Sequence, residues 1–290
     1  MQRRHRAAPD LSTVVHRPHS ELRRPIALFK RMVRDLLASK ELAWQLMRRN
    51  INAQYRQSFL GIFWAFIPPL VAAAGLTFAR DSGVVNIPDT DLPYAAYVMF
   101  SMTLWQTFVE SLTGPIAAVA NAKGMLARIN FPREALIVAQ TGELLFNFSI
   151  KLILIVGLFI WFQVPITWSV LLAPVALVHL IVFGTALGIF LSAAGAVYQD
   201  FSRIVPLATN FWLLITPVIY PLPQSGLFKR IVDLNPVTPL LVTTRELATT
   251  GIVSQPEGFW ISSAIGFVGL FISWLIYRLS IPYIVERMSS

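Results

Sequence analysis

The sequence predicts an all-α polytopic membrane protein with six transmembrane helices, and three observations carry that reading. The 290 residues are 55% hydrophobic and only 13% charged, with a mean hydropathy of +0.61. A soluble domain of this size could not hide so much apolar surface. Apolar runs of about 20 residues recur at 59–79, 93–117, 135–162, 168–194, 204–223 and 258–280, each long enough to cross a hydrocarbon core of roughly 30 Å. The basic residues are also unevenly distributed. Residues 1–57 hold 13 Lys and Arg against 4 Asp and Glu, whereas the remainder holds 11 of each kind. With the N terminus in the cytoplasm, the inner segments collect 19 Lys and Arg and the outer loops four, which is the positive-inside pattern. Six spans then return the C terminus to the cytoplasm and make this a multi-pass protein of the cytoplasmic membrane. The runs are continuous rather than alternating, which excludes a β-barrel. The first begins near residue 59, too late for a cleavable signal peptide. Topology already accounts for the basic arm, so the expected partner is membrane lipid and not nucleic acid.

Residues 1–25, rich in Arg, His and Pro, read as a disordered cytoplasmic tail. Residues 26–57 alternate apolar and basic positions at helical spacing, which predicts an amphipathic helix along the cytoplasmic interface. By itself such a helix is either a surface anchor or a docking face for a partner, and the residues favour the anchor. Residues 58–290 form the six-span domain. Its first span opens with a polar collar, Tyr55-Arg56-Gln57-Ser58, and contains Pro68-Pro69, which should bend the helix by removing two backbone donors. The inner loop 118–134 is short and basic, with a two-turn helix expected at 121–128 that stops before Phe131-Pro132. Span 3 carries Gln140, Glu143, Asn147 and Lys151, which at 100° per residue fall in a stripe about 80° wide. Such a stripe faces a neighbouring helix or a wet path, not lipid. The residues leave both readings open, with Glu110 of span 2 available as a partner. The aromatics Phe63, Trp64 and Phe66 of span 1 and Phe211, Trp212 and Tyr220 of span 5 either stack on sugar rings or fill lipid-facing positions. The outer segment 221–257 holds two short amphipathic pieces, 227–234 and 240–250. They are too short to span but apolar enough to dip into the outer interface as re-entrant helices.

Enzymatic chemistry finds no purchase. Three of the four histidines lie in the tail and His179 is alone in span 4. No HExxH, GxSxG or metal-ligand spacing occurs, and no lysine is followed by Ser or Thr, so a GK[ST] phosphate loop is impossible. Cysteine is absent, which removes disulfides and thiolate metal sites. Any ATP-driven work must draw on nucleotide held by another chain.

Five stretches taken together resemble a known family. "YRQSFLGIFWAFIPPL" at 55–70 is similar to the start of span 1 in the membrane subunits of ABC-2-type polysaccharide exporters. "INFPREAL", "YQDF" at 198–201, "TPVIYP" at 216–221 and "LNPVTPLLVTTREL" follow in the family's order. Gln199 departs from the arginine common at its position. The resemblance covers about 28–285 and implies a homodimer that forms a conduit for a polyprenyl-pyrophosphate-linked glycan (O-antigen, capsule, teichoic acid or galactan). It implies a separate ATPase subunit holding ATP and Mg, with no cofactor in this chain. Tyr55, Arg56 and Ser58 would then form a headgroup collar. Phe63, Trp64, Phe66, Gln140, Glu143, Asn147, Lys151, Phe211, Trp212 and Tyr220 would line the conduit. Lys123, Gly124, Met125, Leu126, Arg128, Phe131, Pro132 and Arg133 would couple to the ATPase, and Asn235, Pro236 and Arg245 would belong to the outer gate. The nearest alternative is an ABC-2 exporter of drugs or small lipids, and one of a different class is an integral-membrane glycosyltransferase or acyltransferase.

Overall fold

A computed structural model describes residues 25–56, 61–129, 131–198 and 200–289, and all regular structure among them is helical. The tail 1–24 and the collar residues Gln57 and Ser58 lie outside the described residues, as does Gln199. Among the described residues, three helices are long and apolar enough to cross a bilayer: 134–161, 168–195 and 256–280.

The predicted interface helix is two helices, α1 (Pro25–Ala38) and α2 (Lys40–Arg56), meeting at Ser39. The Ser39 side chain is buried and donates to the Leu36 carbonyl at 2.7 Å. A hydroxyl turned back on its own helix competes with the backbone ladder and marks the break. Helix α2 packs along the third predicted span with Ala43 and Leu46 buried.

The expected bend at Pro68-Pro69 is not there. Residues 61–65 form a short tight turn of helix, and α3 (Ile67–Asp81) then begins at the prolines. In the first turn of a helix the backbone N–H groups have no intrahelical acceptor, so proline loses nothing there. The pair therefore starts the helix and does not kink it. At 15 residues, α3 rises only about 22 Å.

Helix α4 (Tyr94–Asn121) is the centre of the bundle, with most of its length buried. It is followed by the short α5 (Lys123–Arg128), α6 (Glu134–Trp161), a short turn of helix at 168–171, and α7 (Ala173–Val197). Helix α7 packs along α4 on one side and along the last helix on the other. The α4–α7 contact is close because Gly184 and Gly188 face α4. A Cβ on Gly184 would run into the Ser111 hydroxyl, and one on Gly188 into the Leu112 carbonyl oxygen. Small residues four apart let helix backbones touch, and in lipid that packing has to replace the missing hydrophobic drive.

Helix α8 (Phe201–Leu214) is 14 residues long and gives way at Ile215 to an irregular stretch through Pro221. In the outer segment, α9 (Gly226–Leu234) keeps Leu227 and Leu234 exposed. Helix α10 (Val237–Ala248) differs from the expected interfacial piece. It buries ten of its twelve residues and sits among α4, α7 and α11 (Pro256–Ser289). It is therefore part of the bundle core.

Candidate functional site

Where α2, α3, α4, α6 and α8 approach one another, they leave a cavity of about 620 Å³. Helix α2 contributes Gln54 and Tyr55, and the turn preceding α3 contributes Trp64. From α4 come Trp105, Gln106 and Glu110, from α6 Asn147 and Lys151, and from α8 Thr209 and Asn210. Its walls thus carry four amides, two hydroxyl groups, two indole rings and one ion pair.

The polar stripe of α6 explains how this wall is assembled. Each of its members meets a different neighbour. Gln140 lies over Gly114 of α4, where a Cβ would have no room. Glu143 accepts from Asn50 Nδ2 of α2 at 2.7 Å, and Asn147 Oδ1 accepts from the Tyr55 hydroxyl at 2.9 Å. Lys151 Nζ donates to Glu110 Oε1 at 2.5 Å. The stripe therefore points at α2 and α4, and only its outer half, Asn147 and Lys151, borders the cavity. Gln140 and Glu143 are not among the lining residues.

Charge at the cavity is balanced. Lys151 is 2% exposed and Glu110 is 34% exposed, so the ammonium is the inner member and the carboxylate the one nearer open space. A lone charge within a membrane is costly, and a matched pair lowers that cost. Burial, reinforced by the Glu110 charge, raises the Tyr55 phenol above its ordinary pKa. It stays a neutral donor to Asn147.

Other predicted residues fall elsewhere. Arg56 is exposed at the end of α2, and Ser58 lies outside the described residues. Trp64 is 57% exposed at the cavity mouth, while Phe63 and Phe211 are exposed on the bundle exterior. Phe66 borders a separate apolar groove with Met99 and Trp161. Trp212 turns inward: its ring meets Phe108 edge-on at 5.4 Å, and its indole N–H donates to Asn235 Oδ1 at 2.9 Å. Tyr220 donates to the Leu214 carbonyl at 3.0 Å and packs on Phe228. Trp212 and Tyr220 thus hold the end of α8 and the outer segment in place and do not line this cavity.

Asn235 is saturated. Besides Trp212 it accepts from the Val237 N–H at 3.1 Å and donates to Thr216 Oγ1 at 2.8 Å. Pro236 directly precedes α10, where a missing N–H costs nothing. Arg245 is buried in α10, its Nη1 donating to Ser101 Oγ at 2.9 Å and to the Pro217 carbonyl at 3.0 Å, with the guanidinium 4.2 Å above the Tyr97 ring. Among the described residues no carboxylate pairs with it. Hydrogen bonds to a charged group contribute about 1.5–3 kcal/mol, so Arg245→Met should cost about 2 kcal/mol. Limited proteolysis between 217 and 236 should accelerate in that variant, and an unchanged cleavage rate would show that Arg245 does not hold the segment.

The inner loop 118–134 folds back on the bundle. Lys123, Gly124, Met125, Leu126 and Arg128 do form a short helix, α5, but Leu126 is 6% exposed and Met125 half-buried. Both pack with Val119, Leu136 and Tyr277 in the chain's own core, because a two-turn helix on the bundle end must bury one face. Lys123 and Gly124 remain nearer the surface, and the Arg128 side chain lies outside the described residues. Phe131 packs against the same core, while Pro132 and Arg133 are half-buried.

Sequence reasoning passed over Asn50, Tyr97, Ser101, Gln106 and Asn210. Single polar residues in apolar runs are the signal for them, but nothing local says which one faces a cavity. It also passed over Gly184 and Gly188, which do have a readable four-residue spacing.

The comparisons with known proteins agree with this arrangement. The chain is 27% identical over 257 residues to the O-antigen export system permease protein RfbA of Myxococcus xanthus, covering 86% of this chain and 95% of the relative. A family model described as ABC-2 type transporter matches residues 41–247, a stretch that runs from α2 through α10 and includes every residue bordering the cavity. A helical bundle with apolar spans and a polar cavity whose two charges pair with each other is consistent with that match, and the chain belongs to the ABC-2 type transporter family.

Proposed function

We propose that this chain is the membrane subunit of an ATP-driven exporter of a lipid-linked polysaccharide, working as a homodimer with two copies of a separate ATPase subunit. The observation that carries the reading is the cavity chemistry. Amides that both donate and accept, a tyrosine hydroxyl and indole faces suit hydroxyl-rich sugar rings, and the charge inside is internally paired. A cavity for apolar drugs or single lipids has no need of Gln106, Asn147 and Asn210 on its wall. Membership of the ABC-2 family and likeness to an O-antigen export permease support the same conclusion. The chain would lie in the cytoplasmic membrane with both termini inside, crossing six times through α3, α4, α6, α7, α8 and α11.

In this reading Arg56, exposed where α2 ends, holds the pyrophosphate head at the inner surface, with Tyr55 beside it. The exposed apolar residues of the turn before α3 and of α8, Phe63 and Phe211 among them, meet the second copy and close the cavity into a passage. Lys123 and Gly124 face the ATPase, and α9 and α10 border the outer mouth.

Expression of this chain with its ATPase subunit in a strain lacking the exporter should restore glycan at the cell surface in an ATP-dependent way, whereas the purified chain alone should hydrolyse no ATP. Asn147→Leu and Gln106→Leu should each lower surface glycan about fivefold or more, since each leaves a passage wall without a sugar partner, a loss of about 1–3 kcal/mol. Drug efflux without glycan display would favour the small-molecule reading, and full export by both variants would remove the cavity from the path.

A further inference from the structure

The cytoplasmic end of α11 grips three other elements. Arg278 splits its guanidinium between two carboxylates: Nη1 donates to Glu134 Oε1 at 3.0 Å and Nη2 to Asp35 Oδ2 at 2.6 Å. Glu134 is the first residue of α6, immediately after the loop that carries α5, and Asp35 belongs to α1. The preceding residue, Tyr277, is 1% exposed and donates its hydroxyl to the Arg133 carbonyl at 3.1 Å. Nearly two turns earlier on α11, the Phe271 ring meets Phe29 of α1 at 6.2 Å. The short helix α5 packs against α11 as well, with Leu126 and Tyr277 in one apolar cluster.

This is more than a surface ion pair. Glu134 is buried and sits at a helix N-terminus, where the backbone dipole already favours its charge. The planar fork of arginine serves two acceptors at fixed angles, which the point charge of lysine does not reproduce. A side chain bonded to two different helices fixes their relative position as well as their proximity.

We propose that Arg278 is a positioning residue for transport: it joins α1, the start of α6 and α11 into one rigid body, so that a push on α5 reaches the last span and the surface helix together. The proposal rests on the reading that an ATPase subunit drives this chain through its cytoplasmic loop.

Two arms test it on the full chain complexed with its ATPase subunit. In the first, Arg278→Lys keeps the charge and loses the fork. The complex should assemble and hydrolyse ATP at the parent's rate while glycan displayed per ATP hydrolysed falls about tenfold, the loss of one charge-assisted hydrogen bond. Asp35→Asn, which breaks one arm at a half-exposed site, should give a smaller fall of the same kind. An unchanged ratio, or hydrolysis and display falling in parallel, overturns the proposal. The second arm uses the absence of native cysteine. Phe29→Cys with Phe271→Cys, joined by a short reducible bis-thiol cross-linker that fills the space of the two rings they replace, should leave ATP hydrolysis by the complex at the rate of the equally treated parent, because elements that move as one body lose nothing by being joined. Hydrolysis that stalls only in the cross-linked variant and recovers on reduction overturns it. Hydrolysis requires no knowledge of the cargo. A parent complex that hydrolyses ATP without displaying glycan therefore refutes the proposed function, and the second arm still decides for or against the clamp.

Discussion

Replacing Lys151 with methionine is expected to strip the membrane of most folded protein and abolish export. Lys151 is 2% exposed and paired with Glu110, and removing one partner of a buried ion pair costs about 3–5 kcal/mol because the other charge is stranded. Glu110 is one-third exposed towards the cavity, which places the loss near the lower end of that range. Even so, about 3 kcal/mol is a large part of the stability of an ordinary domain. The informative variant is the pair, Lys151→Met with Glu110→Gln. Removing both charges leaves no stranded ion, so the thermal midpoint of the detergent-purified protein should return to within a few degrees of the parent. Surface glycan in cells carrying the pair should nevertheless stay below about a tenth of the parent level, an effect of about 1.4 kcal/mol or more on the transport step. A stable pair variant that exports normally would mean that these charges only hold α4 against α6, and Lys151 would leave the proposed passage.

A comparable effect is expected from Gly188→Val, for a steric reason instead of an electrostatic one. A Cβ at this position collides with the Leu112 carbonyl oxygen and closes to 3.0 Å on Pro115 Cγ. Neither obstacle is the free end of a flexible side chain, so α4 and α7 have to separate along their longest contact. Overpacking costs about 1–3 kcal/mol where neighbours can adjust, and Gly188→Val should reach or exceed that range. Gly124→Ala is the matched control, because nothing lies within 4 Å of the added methyl and stability should not change. Comparing the two in one thermal-shift series checks the claim. A Gly188→Val protein as stable as the Gly124→Ala protein would show that the α4–α7 crossing is looser than described.

The proline pair and Leu126 show what a linear reading leaves undecided. Pro68-Pro69 reads as a kink only if a helix is already running at residue 66. The chain instead starts α3 at the pair, and hydropathy cannot see that boundary because apolar residues continue on both sides of it. Leu126 reads as a knob for a partner because its helix is short and basic, yet the same shortness lets it fold against α4 and α6. In both cases the deciding fact is what lies beside the residue in space.

Composition and charge alone determined that this is a helical membrane protein, and helical spacing placed the α6 residues on one stripe. Those properties follow from transfer free energy and the 100° turn per residue, which each segment carries by itself. Only the tertiary structure decided that Lys151 answers Glu110, that Asn147 answers Tyr55, that Arg245 stacks on the face of Tyr97, and that Arg278 bridges Asp35 and Glu134. Each of those pairings joins residues between about forty and two hundred and forty positions apart. A polar side chain in an apolar helix must find a partner, but which partner depends on how the helices cross, and here the backbone approach at Gly184 and Gly188 sets the α4–α7 crossing.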